Sequence, residues 1–111
     1  MKTLTTSRQI GAYIRKKLKD NMCHNQSYSE KGKTHQRMAW MLKYGVGNDA
    51  DSIKAAKLDK IVAKVQKKLT KSGIDANVYL TTPKYRYSHA KINVKMTLEQ
   101  HSKIRNKTAK A

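Results

Sequence analysis

The clearest periodic signal in this 111-residue chain lies in residues 52–72, SIKAAKLDKIVAKVQKKLTKS. At about 100° per residue, its apolar side chains fall within one arc about 100° wide, the width expected of a helix face that packs on a core. These side chains are Leu58, Ile61, Val62, Val65 and Leu69. Ser52 or Asp51 is suited to cap such a helix and Gly73 to end it. We therefore predict a single amphipathic helix across this stretch.

The lysines of the same stretch fall in a second arc of about 140°. They are Lys54, Lys57, Lys60, Lys64, Lys67, Lys68 and Lys71. With a rise of about 1.5 Å per residue, the ridge from Lys57 to Lys71 would run for about 21 Å, long enough to follow several phosphates. Lysine is also common on helix faces that are simply exposed to solvent, so the ridge could equally be a solvated face without a ligand.

After this helix the apolar period changes from about 3.6 to about 2, the period of a strand. Apolar and polar side chains alternate over residues 76–82 and again over residues 91–96, which predicts two strands. The connection between them holds the only proline, Pro83, and continues as Lys84-Tyr85-Arg86-Tyr87. We expect a hairpin loop or basic finger here, because cations neutralise phosphates while tyrosine rings stack on bases. The two tyrosines could instead pack on the core.

The chain before residue 52 is harder to interpret. Thr6 and Gln9 have capping-box spacing ahead of an apolar face of helical period, which predicts a helix over residues 7–20. The other face of this helix carries Arg8, Ala12, Arg15, Lys16 and Lys19. Residues 21–34 are polar and show no period, so we predict a loop there.

Two further short helices are predicted. Met residues around Trp40 suggest a helix over residues 35–44, ended by Gly45, with the tryptophan in the core. Thr97 and Gln100 have capping-box spacing that starts a short C-terminal helix, which leaves residues 106–111 as a frayed tail. The expected fold is a single α+β domain over residues 1–111, with three helices followed by a two-stranded antiparallel hairpin and a short C-terminal helix.

Charge is the strongest indication of function. The chain has 25 Lys and Arg against 7 Asp and Glu, a formal net charge of +18, whereas solubility of a small domain is served by a magnitude of about 2–8. Such an excess favours a polyanionic partner.

The chain lacks an apolar run of the about 20 residues that a membrane span needs, so we expect no membrane partner. The polar first twenty residues and the single Cys23 favour a cytoplasmic or nucleoid-associated protein.

No cofactor or metal site is indicated. Cys23, His24 and His35 lack the paired-cysteine spacing of structural zinc sites. Gly32-Lys33-Thr34 matches only the end of a phosphate-binding loop, since Ser27 stands where its first glycine would be. We therefore expect neither metal binding nor nucleotide hydrolysis.

We predict a non-enzymatic nucleic-acid-binding protein that makes largely sequence-independent phosphate contacts, with RNA or single strands slightly favoured over duplex DNA by the tyrosines. The residues expected to bind are Arg8, Arg15, Lys19, Lys57, Lys60, Lys64, Lys67, Lys68, Lys71, Lys84, Tyr85, Arg86 and Tyr87. A first alternative is a small basic modulator or inhibitor that docks on an acidic or nucleic-acid-handling protein. A remote alternative is a metal-independent ribonuclease in which His89 acts beside the finger. The open edges of a two-stranded sheet are compatible with a homodimer.

Overall fold

Two pairs of successive strands are separated and flanked by helices in a computed structural model, which describes residues 3–83 and 88–104. The elements, in chain order, are α1 (Ser7–Leu18), a 3-10 turn (Lys19–Asn21), β1 (Met22–Lys31), β2 (His35–Leu42), α2 (Ala50–Ala55), α3 (Leu58–Lys71), β3 (Asn77–Thr81), β4 (Lys91–Thr97) and α4 (Leu98–Ile104).

Over the described residues, the four strands form one antiparallel sheet in the order β1-β2-β4-β3. Both hairpins, β1-β2 and β3-β4, contribute an inner strand, and the inner strands pair with each other so that Trp40 lies opposite Ile92. The sheet therefore joins two halves of the chain that are far apart in sequence.

The predicted fold class is correct as α+β but wrong in its elements. The segment predicted as a helix over residues 35–44 is β2, and most of the loop predicted over residues 21–34 is β1. In β2, Met38, Trp40 and Leu42 are buried at a spacing of two. Because Met38, Met41 and Leu42 also have helical spacing, the apolar pattern of this short segment fits both structures. Gly32, Lys33 and Thr34 form the turn between the two strands.

The predicted single helix over residues 52–72 is two helices. Lys57 adopts a left-handed backbone conformation, with φ 55°, which breaks the helical path between α2 and α3. The N-cap of α2 is Asp49, whose side chain accepts a hydrogen bond from the Ser52 backbone N–H at 2.8 Å. Gly73, with φ 77°, follows the end of α3 as expected.

Four local predictions are confirmed. The Thr6 hydroxyl and the Gln9 side chain form the capping box of α1, and the Thr97 hydroxyl accepts a hydrogen bond from the Gln100 backbone N–H at 3.1 Å as α4 begins. Trp40 is buried, although on a strand. The alternating segments after residue 75 form β3 and β4.

The core lies between the helices and one face of the sheet. Its helical contribution includes Ile10, Ile14 and Leu18 of α1 and Leu58, Val65 and Leu69 of α3. The side chain of Gln66 fixes α3 against β3, since it donates to the Ala76 carbonyl and accepts from the Val78 backbone N–H, both at 2.9 Å. The lysines of α3 are thereby held on the side away from the sheet.

Gly47 allows the chain to pass close to this core. Its φ is 85°, and a Cβ at this position would lie 3.0 Å from Ala90 Cβ and from Leu58 Cδ1. Glycine is therefore required both by the backbone conformation and by the space.

Candidate nucleic-acid interface

A basic groove of about 760 Å³ separates the C-terminal end of α1 from the first half of α3. The cations that line it are Lys16, Lys17, Lys19, Lys57, Lys60 and Lys64. Among the described lining residues, the one acidic side chain is Asp20. We call this the lysine groove.

The apolar faces of two helices fix the position of this groove. Leu18 of α1 and Leu58 of α3 are fully buried. Leu18 lies between the half-buried Lys17 and the exposed Lys19, and Leu58 lies between the exposed Lys57 and Asp59. In α3 the core stripe and the lysines occupy different arcs of the helix, so packing of the stripe turns Lys60 and Lys64 outward. None of the six lysines forms an ion pair with a carboxylate of a described residue. The groove therefore presents positive charge that the described part of the protein does not neutralise.

A second hollow of about 360 Å³ continues along α3 from Lys64. Lys67, Lys68 and Lys71 line it together with Tyr13 of α1. The ammonium groups of Lys17 and Lys68 lie 5.3 and 5.9 Å from the centre of the Tyr13 ring, within the range of cation–π attraction. Because Lys64 lines both hollows, the basic surface is continuous along α3.

The structure brings together only part of the predicted set. Lys19, Lys57, Lys60 and Lys64 meet in the groove with Lys67, Lys68 and Lys71 beyond it. Arg8 and Arg15 instead line a depression beside β1 on the other flank of α1. There Arg15 donates to the Ser27 hydroxyl at 3.1 Å.

Several other predictions fall elsewhere. Lys54 is on α2, outside the α3 ridge. The finger of residues 84–87 lies outside the described residues. Lys16 was predicted on the polar face of α1 but was not included among the binding residues, and Lys17 was missed altogether, although both lie in the last turn of the helix near Lys19.

The opposite face of the sheet carries a different cationic cluster, centred on Arg37 of β2. The Arg37 guanidinium donates to Asn93 Oδ1 at 2.7 Å and forms an ion pair with Glu30 at 2.8 Å. It also donates to the Tyr28 hydroxyl at 3.3 Å. Asn93 is fully buried, and its amide nitrogen donates to the Thr81 hydroxyl at 2.7 Å. These bonds span all four strands and fix the guanidinium in one orientation.

Two lysines of β4 extend this cluster. The Lys91 ammonium lies 5.6 Å from the centre of the Tyr28 ring, and Lys95 is exposed opposite Arg37 in the strand register. Lys33, Arg37 and Lys95 also line a small hollow at the β1-β2 turn. We call the surface formed by Tyr28, Arg37, Lys91 and Lys95 the sheet-face cluster. It was missed because β1 and β2 were not predicted as strands.

The ion pair changes the titration of both partners. The hydrogen bond and the charge of Arg37 lower the pKa of Glu30 below its ordinary value of 4.5. The hydrogen bond from the same carboxylate raises the pKa of Arg37 above its ordinary value. Both groups are therefore charged at neutral pH.

An aromatic pair is formed by a residue that follows β2 and a residue that precedes β4. Tyr44, which is 63% exposed, stacks on His89 with 3.9 Å between ring centres and 24° between ring planes. His89 Nδ1 lies 2.7 Å from the Leu42 carbonyl oxygen, so this nitrogen carries the proton that it donates. The Lys43 backbone N–H donates to the carbonyl of Asn21, a residue of the groove wall, at 2.9 Å. Tyr44 therefore follows in sequence a residue whose backbone is bonded to the groove wall, while its ring lies on His89.

Among the described residues, no three His, Cys, Asp or Glu side chains are grouped as metal ligands. Within the same residues, no helix has the length and apolar character of a membrane span. Comparisons with protein-family models, curated proteins and solved structures find no match to this chain.

Proposed function

We propose that this protein binds nucleic acid through the lysine groove, mainly by contacts to phosphates that do not depend on sequence. The observation that carries the proposal is the convergence of six lysines and one acidic residue on the two walls of a single groove. A phosphate backbone neutralises such a set and releases its own counterions, which is the main source of sequence-independent affinity.

The arrangement supports phosphate contacts more than base recognition. Lysine presents a mobile point charge on a flexible stem, so it accepts many phosphate positions and reads little sequence. Tyr44, which is stacked on His89 and 63% exposed, offers a surface on which an unpaired base could stack. We therefore propose a slight preference for single strands, including RNA, over duplex DNA. We also propose that the protein is located in the cytoplasm or on the nucleoid.

Three charge-matched variants test the proposal. The groove variant carries Lys60→Gln and Lys64→Gln, both exposed groove positions. The control variant carries Lys54→Gln and Lys103→Gln, exposed on α2 and α4 and outside the groove. The sheet-face variant carries Lys91→Gln and Lys95→Gln on β4. Each removes two positive charges.

Fluorescence anisotropy with labelled duplex DNA, single-stranded DNA and RNA measures the affinity of each variant. We expect the groove variant to lose about tenfold or more on every probe at about 0.1 M salt, with the salt slope reduced by about 2. The control should stay within about threefold of the unmodified protein. Equal losses in groove and control variants would mean that net charge alone, not the groove, determines binding.

An acidic protein partner would contact the same lysines. Capture from a nuclease-treated extract, with the groove variant as control, distinguishes this alternative. A stoichiometric acidic protein that is captured by the unmodified chain, combined with no binding of any nucleic-acid probe, would replace the present proposal with that of a protein modulator.

A further inference from the structure

The two cationic surfaces of the domain face in opposite directions. In β4, Val94 lies in the core and its neighbour Lys95 is exposed, because successive side chains of a strand point to opposite faces. The helices pack on the Val94 side, and the lysines of α3 lie on the outer side of that helix layer. The core thus separates the lysine groove from the sheet-face cluster.

The sheet face has an excess of positive charge. Glu30 is the one acidic residue on this face among the described positions, and it pairs with Arg37. The ammonium groups of Lys91 and Lys95 form no ion pair with a described carboxylate. The Thr81 hydroxyl, which accepts a hydrogen bond from the Asn93 amide, lies on the same face opposite Lys91. The face therefore combines positive charge with hydrogen-bonding groups, and no helix among the described residues covers it.

We propose that the sheet-face cluster is a second nucleic-acid-binding surface, so that one molecule holds two nucleic-acid segments, one on each face. This inference rests on the proposed function of the groove. The ligand chemistry is again the phosphate backbone, to which Lys91 and Lys95 supply charge while Arg37, fixed by Asn93 and Glu30, supplies an oriented donor.

Rigid duplexes make the proposal testable. Duplex DNA has a persistence length of about 150 base pairs, so a duplex of about 25 base pairs does not bend round the domain to occupy both faces. A single strand could wrap from one face to the other, so it is unsuitable as a probe here. Joining of two short duplexes therefore requires two separate surfaces.

The experiment captures one duplex through another. A biotinylated duplex of about 25 base pairs is fixed on beads, protein is added, and retention of a second, fluorescent duplex is measured. Anisotropy on the single duplex runs in parallel with the unmodified protein and the sheet-face, groove and control variants. Light scattering gives the oligomeric state, and circular dichroism shows that each variant folds.

We expect the unmodified and control proteins to retain the second duplex. The sheet-face variant should bind a single duplex within about threefold of the unmodified protein but retain the second duplex at least about tenfold less well. The groove variant should be weaker in both measurements.

Other outcomes overturn the inference in separable ways. If the unmodified protein binds a single duplex but does not retain a second, the second surface is rejected and the groove proposal stays intact. The same conclusion follows if the sheet-face variant retains the second duplex as well as the unmodified protein does. A dimer that bridges two duplexes through its two grooves would give this second result. Loss of single-duplex binding in the sheet-face variant but not in the groove variant makes the sheet the sole site. No binding by the unmodified protein rejects the proposed function itself.

Discussion

The groove and the sheet face hold their positive charges in different ways. The six groove lysines have no described carboxylate as a partner, and their ammonium groups end flexible stems. On the sheet face, Arg37 is bound to Glu30, Asn93 and Tyr28. Mobile charges suit contacts whose positions vary, whereas a fixed guanidinium suits a defined orientation of the ligand. If both surfaces bind nucleic acid as we propose, we expect the groove to contribute mainly affinity and the sheet face to contribute mainly orientation of the ligand.

The largest effect is expected from reversing charge in the groove. Lys60→Glu with Lys64→Glu places two repelling charges in place of two attracting ones, so duplex affinity should fall by about a hundredfold or more at about 0.1 M salt. Lys91→Glu with Lys95→Glu makes the same charge change on the sheet face and should cost far less in single-duplex affinity. Anisotropy on one duplex compares them, and equal losses would remove the distinction between the faces.

Removal of Arg37 should destabilise the fold. Arg37→Ala leaves the Oδ1 atom of the fully buried Asn93 without its donor, a loss of about 1–3 kcal/mol in the free energy of unfolding. The exposed Lys64→Ala in the groove should change that free energy by no more than about 0.5 kcal/mol. Urea denaturation measures both. A destabilisation by Lys64→Ala as large as that by Arg37→Ala would contradict the contrast between mobile and fixed cations.

Loss of the exposed Tyr44 ring should weaken binding of single strands selectively. Tyr44→Ala removes the exposed ring that stacks on His89, and loss of one stacked base costs about 1–3 kcal/mol of binding free energy. Duplex affinity should stay unchanged, and Tyr44→Phe should bind like the unmodified protein. Anisotropy on matched single and double strands gives the comparison. A loss of the same size on the duplex would assign Tyr44 a structural role instead.

The smallest effect is expected at Glu30. Because Arg37 lowers its pKa in the folded state below 4.5, the ion pair contributes stability that is complete above about that pH and is lost as pH falls through the folded pKa. The melting temperature of the unmodified protein should therefore decline more than that of Glu30→Gln between about pH 5 and pH 3. An equal decline of the two melting temperatures over this pH range would contradict a stabilising ion pair between Glu30 and Arg37.

Sequence alone predicts the elements whose side chains follow one clear period. The capping box at Thr6 and the buried Leu58, Val65 and Leu69 of α3 are examples. The strand β1 could not be found in this way, because Ser27, Tyr28, Ser29 and Glu30 are all exposed and show no apolar alternation. Backbone pairing with β2 forms this strand, and pairing depends on chain segments that are distant in sequence.

The candidate site was predictable to the same extent. The α3 lysines follow from the helix that the apolar stripe defines, so Lys60 and Lys64 were predicted correctly as neighbours on one surface. The packing of α1 against α3 adds Lys16 and Lys17 to that surface and turns Arg8 and Arg15 away from it. Helical period fixes which side chains share a face of one helix, whereas tertiary packing decides which two faces meet.

The salt dependence of duplex binding tests the central claim most directly. If the lysine groove neutralises about 6–8 phosphates together with its extension along α3, the logarithm of affinity should fall against the logarithm of salt concentration with a slope of about −5 to −7. A titration of the unmodified protein at several salt concentrations measures this slope. A slope near zero, or the absence of binding even at low salt, would contradict a nucleic-acid interface built from these lysines.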